Sequence, residues 1–424
     1  MSQKIDVSII SSGANIADAR LHRLTNALLR AGLTVELFAP GNPADAPRVM
    51  NDHLAGAPTP TEVSQGAQGI ATGSLILRSC TSPWTRGKGL IPRYVRSRTF
   101  VFRARGKVIY AISPEAFAPA FAWSRFCTHI LFRKRFFAAD LYEDYLRLLQ
   151  DRAWAKKYAG VLGAIARSDT KWALRFAARA ELTTVADVQV PPFNSRNRLV
   201  VRNLPDASIL TQSGERSKTP RAIYIGDLRK SRGLYTMLEV AEKLPYWQFD
   251  FVGSIAPADQ EYVSAWLARN SSSNASGAYA VNEVDTHASN ASVVQSANSR
   301  VKFHGKLAPR DSWKFAEGAW VGLSLLESTP AFVEAVPSKL YEYMSVGLAS
   351  VSTPLPRCIE LIKQSGAGVV AASADEIVTQ LKHWEENPAE LDQVRATAKK
   401  WADSHLDSIT EYETFAASIS ALLR

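Results

Sequence analysis

The sequence predicts an α/β protein made of two doubly wound, Rossmann-like domains facing across a cleft. Three observations carry that expectation. The chain has 424 residues, too many for one small domain and suited to two of about 200 each. It opens with an apolar strand, a glycine turn, a helix and a second strand, and the same order starts again at Arg221. Strands alternating with helices build parallel sheets covered on both faces, and such sheets bind ligands at the carboxyl ends of their strands.

In the first half, Ile5 to Ile10 reads as a strand, Ser11-Ser12-Gly13 as a turn, and Ile16 to Arg30 as a helix with Leu21, Leu24, Leu28 and Ala31 at helical spacing. Gly32 ends that helix and Thr34 to Ala39 forms the next strand. Gly13 lies at a strand end, where ligands bind, but there is no GxGxxG loop and hence no support for a dinucleotide site. Residues 41 to 66, rich in Pro, Gly, Ala and Asn, read as a long loop. Leu75 to Arg78, Val108 to Ile112 and Thr128 to Phe132 are further strand candidates, and helical stretches follow at Leu141 to Arg152 and Lys156 to Arg179. The polar residues 207 to 219 read as a linker. The domain limits follow: 1–206, the linker 207–219, a second domain over 220–400, and a terminal helical segment over 401–424.

Composition sets the setting. Apolar and charged fractions of 46% and 21% are those of a globular protein. Cys80, Cys127 and Cys358 are scattered, with no CxxC pair and no metal-like cluster with His, which fits a reducing compartment. Lys4 and Asp6 flank the first apolar run, so no secretory leader is expected, and no apolar run reaches the roughly 18 residues that span a bilayer. A cytoplasmic location is the expectation. The net charge of +10 is uneven. Between Trp84 and Lys107 eight cations occur without one acid, interleaved with Trp84, Tyr94, Phe100 and Phe102, and a second basic cluster, Arg133 to Arg135, is flanked by Phe132 and Phe136-Phe137. These stretches, 84–107 and 132–137, read either as a solvated connection or as a surface drawn to an anionic membrane or a pyrophosphate-linked lipid. No nucleic-acid module is present.

In the second half, Ala222 to Ile225 is a strand, followed by Gly226-Asp-Leu-Arg-Lys-Ser-Arg-Gly233 and a helix carrying Leu234, Met237, Leu238 and Val240. A glycine turn before a helix, bearing Arg229, Lys230 and Arg232, offers cations to a leaving diphosphate. Phe249 to Gly253 and Val301 to Gly305 are strand-and-turn units, and the Ser/Asn-rich residues 270 to 299 between them read as an exposed insertion. Trp320 to Leu326 is the strand that leads into Glu334-Ala-Val-Pro-Ser-Lys-Leu-Tyr-Glu342-Tyr-Met-Ser-Val-Gly347. Pro337 suits the first position of a helix and Gly347 its left-handed end. The N–H groups of Ser338, Lys339 and Leu340 then lack helical partners and, with the helix dipole, form an anion cradle apt for a diphosphate. Glu342 sits one turn beyond Ser338 on the same face, placed to accept ribose hydroxyls. Glu334, in the loop before the helix, is placed to accept sugar hydroxyls. The plain alternative is an amphipathic helix with solvated glutamates.

Two glutamates seven residues apart, the second within Pro-Ser-Lys-Leu-Tyr-Glu-Tyr-Met, followed by Gly347 and the apolar Ala349 to Ser352, resemble the donor-binding signature of family 4 glycosyltransferases, retaining enzymes of the two-domain GT-B fold. The resemblance implies that Glu334 binds the transferred sugar, Glu342 the ribose, and residues 335 to 339 the diphosphate. The family's Gly-Arg-Leu turn appears here with Asp227 in place of the Arg and Arg232 in place of the following Lys, so Arg229 stands in for the first cation. The resemblance further implies that Gly13 faces sugar and acceptor, that Gly305 lies in the turn contacting the base, and that the helix from Ile409 crosses back to the first domain. Asp140 takes the place of a strand-end residue that positions the acceptor hydroxyl; a helix cap is its other reading. His304 reads as structural.

The function these readings give is retaining transfer of a sugar from a UDP- or GDP-type nucleotide-sugar to a glycan or polyprenyl-linked acceptor, in envelope polysaccharide or glycolipid synthesis, peripheral at the inner face of the plasma membrane. Glu334, Arg232, Arg229 and Asp140 are the catalytic candidates. Glu342, Ser338, Lys339, Lys230, Gly226, Gly305 and Gly13 are the donor-binding ones. No Asp-x-Asp or His cluster stands where a metal would bridge a diphosphate, so neither metal nor cofactor is expected. A nucleotide-sugar epimerase of the same fold and a non-catalytic binding module are the alternatives.

Overall fold

Short strands cannot stand alone in water, and in this chain Val7–Ile10, Val35–Phe38, Val108–Ala111 and Val321–Ser324 are buried along their whole length. The computed structural model describes residues 4–13, 16, 18–41, 73–78, 90–151, 161–205, 209–272 and 300–424. The described chain divides into two compact units, Met1–Asn203 with Ser408–Arg424, and Leu204–Asp407.

Unit 1 begins with β1 (Val7–Ile10), α1 (Ala19–Arg30), β2 (Val35–Phe38), β3 (Leu75–Arg78), α2 (Leu90–Arg103) and β4 (Val108–Ala111). It continues through α3 (Pro114–His129), β5 (Phe136–Leu141), α4 (Tyr145–Asp151), α5 (Val161–Ala177), β6 (Leu182–Val185) and β7 (Arg198–Val200). The seven strands lie in the order β3-β2-β1-β4-β5-β6-β7, every pairing parallel. Asp18 caps α1, its carboxylate accepting from the Arg20 and Leu21 amides at 3.0 Å. Leu21, Leu24 and Leu28 pack on one sheet face with Phe415 and Ile419 of the chain's last helix. Phe100, Phe117 and Leu174 bring α2, α3 and α5 onto the other.

Unit 2 runs through β8 (Arg221–Ile225), α6 (Leu234–Lys243), β9 (Gln248–Val252), α7 (Gln260–Ser272), β10 (Val301–Gly305), α8 (Pro309–Trp313) and β11 (Val321–Ser324). Then come α9 (Ser338–Ser345), β12 (Ala349–Ser352), α10 (Pro356–Ser365), β13 (Gly368–Val370), α11 (Ala374–Glu386) and α12 (Pro388–His405). Six parallel strands take the order β10-β9-β8-β11-β12-β13, the order of addition reversing between β8 and β11. The last helix, α13 (Ser408–Leu423), belongs to unit 1, where the Tyr412 hydroxyl donates to the Arg202 carbonyl at 3.2 Å.

Several expectations are corrected. Thr128 to Phe132 is not a strand: α3 continues to His129, because Phe117, Ala120, Ser124 and Cys127 recur at helical spacing and are all buried, and the sheet position is taken by β5. Ile130, Leu131 and Phe132 are instead exposed. The helix read from Leu141 starts at Tyr145, with Asp144 accepting from the Leu146 amide at 3.0 Å. The basic stretch is not a loose connection in its described part but helix α2, whose Phe100, Val101 and Arg96 are buried. Residues 209–219 are strapped to unit 2: the Ser213 amide donates to Val346 O at 2.9 Å and Trp320 Nε1 to Ser217 O at 2.8 Å. The readings over 41–66 and 270–299 lie, but for their first residues, outside the described chain.

Asp140 is the largest correction. It lies inside β5, fully buried, and accepts from Arg20 Nε at 2.8 Å, from Arg20 Nη2 at 2.6 Å and from the Thr184 hydroxyl at 2.6 Å. Arg20 also donates to Val201 O and to Asn203 Oδ1, both at 2.8 Å. With both oxygens committed to a buried guanidinium, Asp140 ties α1 to the sheet and offers nothing to an acceptor. Asp140→Ala strands a buried cation, and urea unfolding should show a loss of about 3–5 kcal/mol. Alkali supplies a second test. Burial holds the Tyr110, Tyr145 and Tyr343 hydroxyls well above their ordinary value of 10.0. The unfolded chain then loses protons that the folded chain keeps, so stability should fall as pH rises past 10.0, which denaturant midpoints across that range would read.

Candidate active site

Of the residues singled out in the second half, Gly226, Lys339 and Glu342 come together at the point where strand order reverses, between β8 and β11, and this is where an open parallel sheet leaves a crevice. Helix α9 is held there by a close approach. A Cβ on Gly322 would fall 2.4 Å from the Tyr343 ring, so only a glycine in β11 lets the helix lie this low, and the Tyr343 hydroxyl donates to Leu323 O at 3.1 Å. Leu340, Tyr343 and Met344 form the buried stripe, which turns Ser338, Lys339 and Glu342 outward from the core. No side chain caps the start of the helix. Pro337 sits just before the first helical residue, and the Leu340 amide donates to its carbonyl at 3.0 Å. The cradle is therefore narrower than expected, made of the Ser338 and Lys339 amides.

Lys339 is the hub. Its ammonium pairs with Glu342 at 2.5 Å and stands 5.5 Å from the centre of the Trp313 ring. Its Cε is 3.4 Å from where a Cβ on Gly226 would stand. Gly226 has φ 152°, a conformation that glycine alone takes without strain, and its carbonyl lies 1.8 Å from where a Cβ on Gly253 would be. The turn after β8 and the start of α9 thus meet at Lys339. The i, i+3 spacing of Lys339 and Glu342 is legible in the sequence, yet the pair was not foreseen. Glu342 is committed in this structure to Lys339 and must share that cation to bind a ribose.

The other candidates divide. Arg229 pairs with Asp227 at 2.6 Å, both partly exposed, so the residue replacing the family's Arg also engages its substitute. Arg232 has a buried Nε with no hydrogen-bond partner, and its guanidinium lies beside the Tyr224 hydroxyl. The Lys230 amide donates to Asp259 at 3.2 Å, and its ammonium stands 5.7 Å from the Tyr235 ring centre. Tyr235 donates to the same carboxylate at 2.8 Å, and burial together with Asp259 pushes its hydroxyl up to about 12. Asp259, far from Lys230 in sequence, carried no signal. The Glu327 amide donates to Ser231 O at 3.0 Å, closing the loop after β11 onto the Lys230–Arg232 turn. The Glu334 carbonyl accepts from Arg357 at 3.3 Å, while its half-buried carboxylate has no partner among the described residues. Gly305 ends β10 with φ 67° and open space about it, and its carbonyl accepts from the Gly253 amide at 2.8 Å. His304 is structural, its ring nitrogen 2.6 Å from Asp250, which also pairs with Arg221 at 2.8 Å.

Two candidates, Gly13 and Asp140, lie in unit 1. Gly13 has Arg93 over it, the guanidinium 1.9 Å from where a Cβ would be, and Arg93 pairs with Glu115 at 3.2 Å. Among the described residues no three His, Cys, Asp or Glu side chains gather as a metal site requires.

Two doubly wound parallel sheets in one chain, one with a helix N-terminus and clustered cations at its reversal point, define the GT-B class. Residues 207–401 match the family model described as glycosyl transferases group 1. Over those residues the chain is similar to that family, and its two parallel-sheet units have the GT-B fold. No curated protein matches the sequence. Among solved structures, HepE from Anabaena in complex with UDP and glucose is similar with TM-score 0.64 and 15% identity over 99% of this chain and 100% of that one. Sucrose-phosphate synthase from Thermosynechococcus elongatus has TM-score 0.63 and 11% identity over 100% and 98%. A glycosyltransferase from Rickettsia africae has TM-score 0.59 and 10% identity over the whole of both chains. At such identities these likenesses speak for the fold.

Gly322→Ala should push Tyr343 off β11 and tilt α9. The expected outcome is a stability loss of about 1–3 kcal/mol, read by thermal unfolding.

Proposed function

We propose that the protein is a retaining glycosyltransferase that moves a sugar from a nucleoside diphosphate-sugar to a glycan or lipid-linked acceptor in envelope glycan or glycolipid synthesis at the inner face of the plasma membrane. The observation that carries the donor side is the convergence at the reversal point of the uncapped start of α9, Lys339, Glu342 and the Gly226 turn. In this reading the Ser338 and Lys339 amides and the Lys339 ammonium hold the diphosphate, Glu342 accepts from the ribose, and the base lies toward Gly305. HepE is described with UDP, with UDP-glucose and with UDP and glucose, which favours UDP over GDP here.

Transfer breaks the bond between the anomeric carbon and the diphosphate oxygen, whose electron pair leaves with the nucleotide. The acceptor oxygen bonds to the same carbon from the face just vacated, which retains configuration, and its proton passes to the leaving phosphate. The developing negative charge is met by Arg232, by Lys339 and, once it releases Asp227, by Arg229. Lys230 adds a further cation. Glu334 grips the hydroxyls of the transferred sugar. With charge met by these groups the reaction needs no divalent metal.

Calorimetry with a panel of nucleoside diphosphates at low salt tests the donor site. UDP is expected to bind, with EDTA making no difference. Glu342→Ala should weaken it by about tenfold or more, the loss of hydrogen bonds to a charged acceptor. Glu334→Gln should leave UDP affinity near wild type and slow hydrolysis or transfer from the sugar nucleotide. Equal UDP binding by Glu342→Ala sinks the assignment.

A further inference from the structure

We infer that unit 1 docks on an anionic lipid bilayer through an apolar knuckle at the C-terminal end of α3. The knuckle is Ile130-Leu131-Phe132, exposed by 60%, 44% and 89%. It deepens the acceptor side of the proposed function but stands on unit 1 alone. Its failure therefore leaves the donor site untouched.

The helix ends with its apolar residues turned out instead of in. The Ile130 amide donates to Phe126 O at 2.9 Å, the Arg133 amide to Cys127 O at 2.8 Å, and Arg135 to Ala104 O at 2.6 Å. The knuckle is thus pinned to both α3 and the end of α2. Phe132 has φ 52°, and among the described residues it is the single non-glycine with positive φ. For an aromatic residue that conformation costs about 1–2 kcal/mol, and the ring gains no burial in return.

Behind the tip the apolar surface continues. Phe126 stacks on Trp123 at 5.6 Å, and Trp123 meets the Phe102 ring edge-on at 5.2 Å, with Phe126 and Phe102 exposed by 44% and 56%. A connected aromatic surface of this kind marks an interaction site.

Charge decides the occupant. Arg103, Arg105, Arg133 and Lys134 are exposed around these rings, and no acid occurs from Ala116 to Ala139. The cations within this face, Arg125 and Arg135, are turned inward, to Glu181 and to Ala104 O. Apolar side chains flanked by exposed cations match the interface of a membrane with anionic headgroups, where rings enter the acyl boundary and cations stay among phosphates. A protein partner of ordinary composition would find one acid here for its cations, Glu181, and that is already engaged by Arg125 and by the Phe137 amide.

Full-length protein is sedimented with vesicles of phosphatidylglycerol in phosphatidylcholine, and with phosphatidylcholine alone. Binding is expected to the anionic vesicles only, weakening as salt rises. Ile130→Ser, Leu131→Ser and Phe132→Asn together should lower it by about tenfold or more. Arg133→Ser with Lys134→Ser should lower it by about fivefold per cation. Asn tolerates the left-handed conformation, so Phe132→Asn alone should keep or raise the melting temperature. That result separates lost contact from lost fold. Binding of the triple variant at the wild-type level overturns the inference, and so does equal sedimentation with neutral vesicles. A concentration-dependent dimer abolished by the triple change, or retention on RNA without vesicle binding, assigns the knuckle to those partners and equally overturns it.

Discussion

The contact of Tyr343 with the bare backbone of Gly322 is the constraint on which the candidate site of unit 2 depends. A side chain at Gly322 would lift α9 from the sheet, and the start of that helix would no longer reach the turn after β8. Because the helix lies low, Lys339 comes within contact distance of Gly226, and Glu342 is drawn in with it. Gly226 and Gly253 in turn bring two strand-end turns closer than any side chain permits. Three glycines, each where backbone meets backbone or ring, thus set the floor of the site. The polar groups above it are positioned by packing, not by reaching for one another.

The Lys339–Glu342 pair gives this floor a resting state. Both side chains are mostly shielded from water, so neither charge is left unmatched before a ligand arrives. An anion at the start of α9 would compete with Glu342 for Lys339 and release the carboxylate to accept hydroxyls. Arg229 and Asp227 repeat the arrangement at the rim, where exposure and screening make the exchange easier.

Legibility in the sequence followed the range of the interactions. The β8 turn and the segment from Glu334 to Gly347 are built from neighbours in the chain: helix start, helix stop, i, i+4 face and glycine turn all speak within about a dozen residues. Asp140 was misplaced because its partner, Arg20, lies 120 residues away, and a strand-end acid looks the same whether it faces solvent or a buried guanidinium. Thr128 to Phe132 misled for a related reason. A short apolar run with β-branched residues reads as a strand, and only burial along Phe117, Ala120, Ser124 and Cys127 shows that helix α3 carries through. The exposed outcome at Ile130 to Phe132 was invisible, since the rule that apolar residues go inside has no local exception.

That exception bears on how unit 1 spends its stability. The turn between α3 and β5 needs one residue in the left-handed region, and glycine or asparagine would take it at little cost. Phenylalanine there is strained and wet at once, two unfavourable terms that no contact within unit 1 offsets. Cys127, one turn earlier, is buried, and Arg135, just after, is tied to Ala104, so the chain on either side is well determined and the departure is confined to the tip. A local conflict inside an otherwise consistent fold is where function is expected to reside. The strain at Phe132 is therefore better explained by what the ring meets outside the chain than by anything inside it.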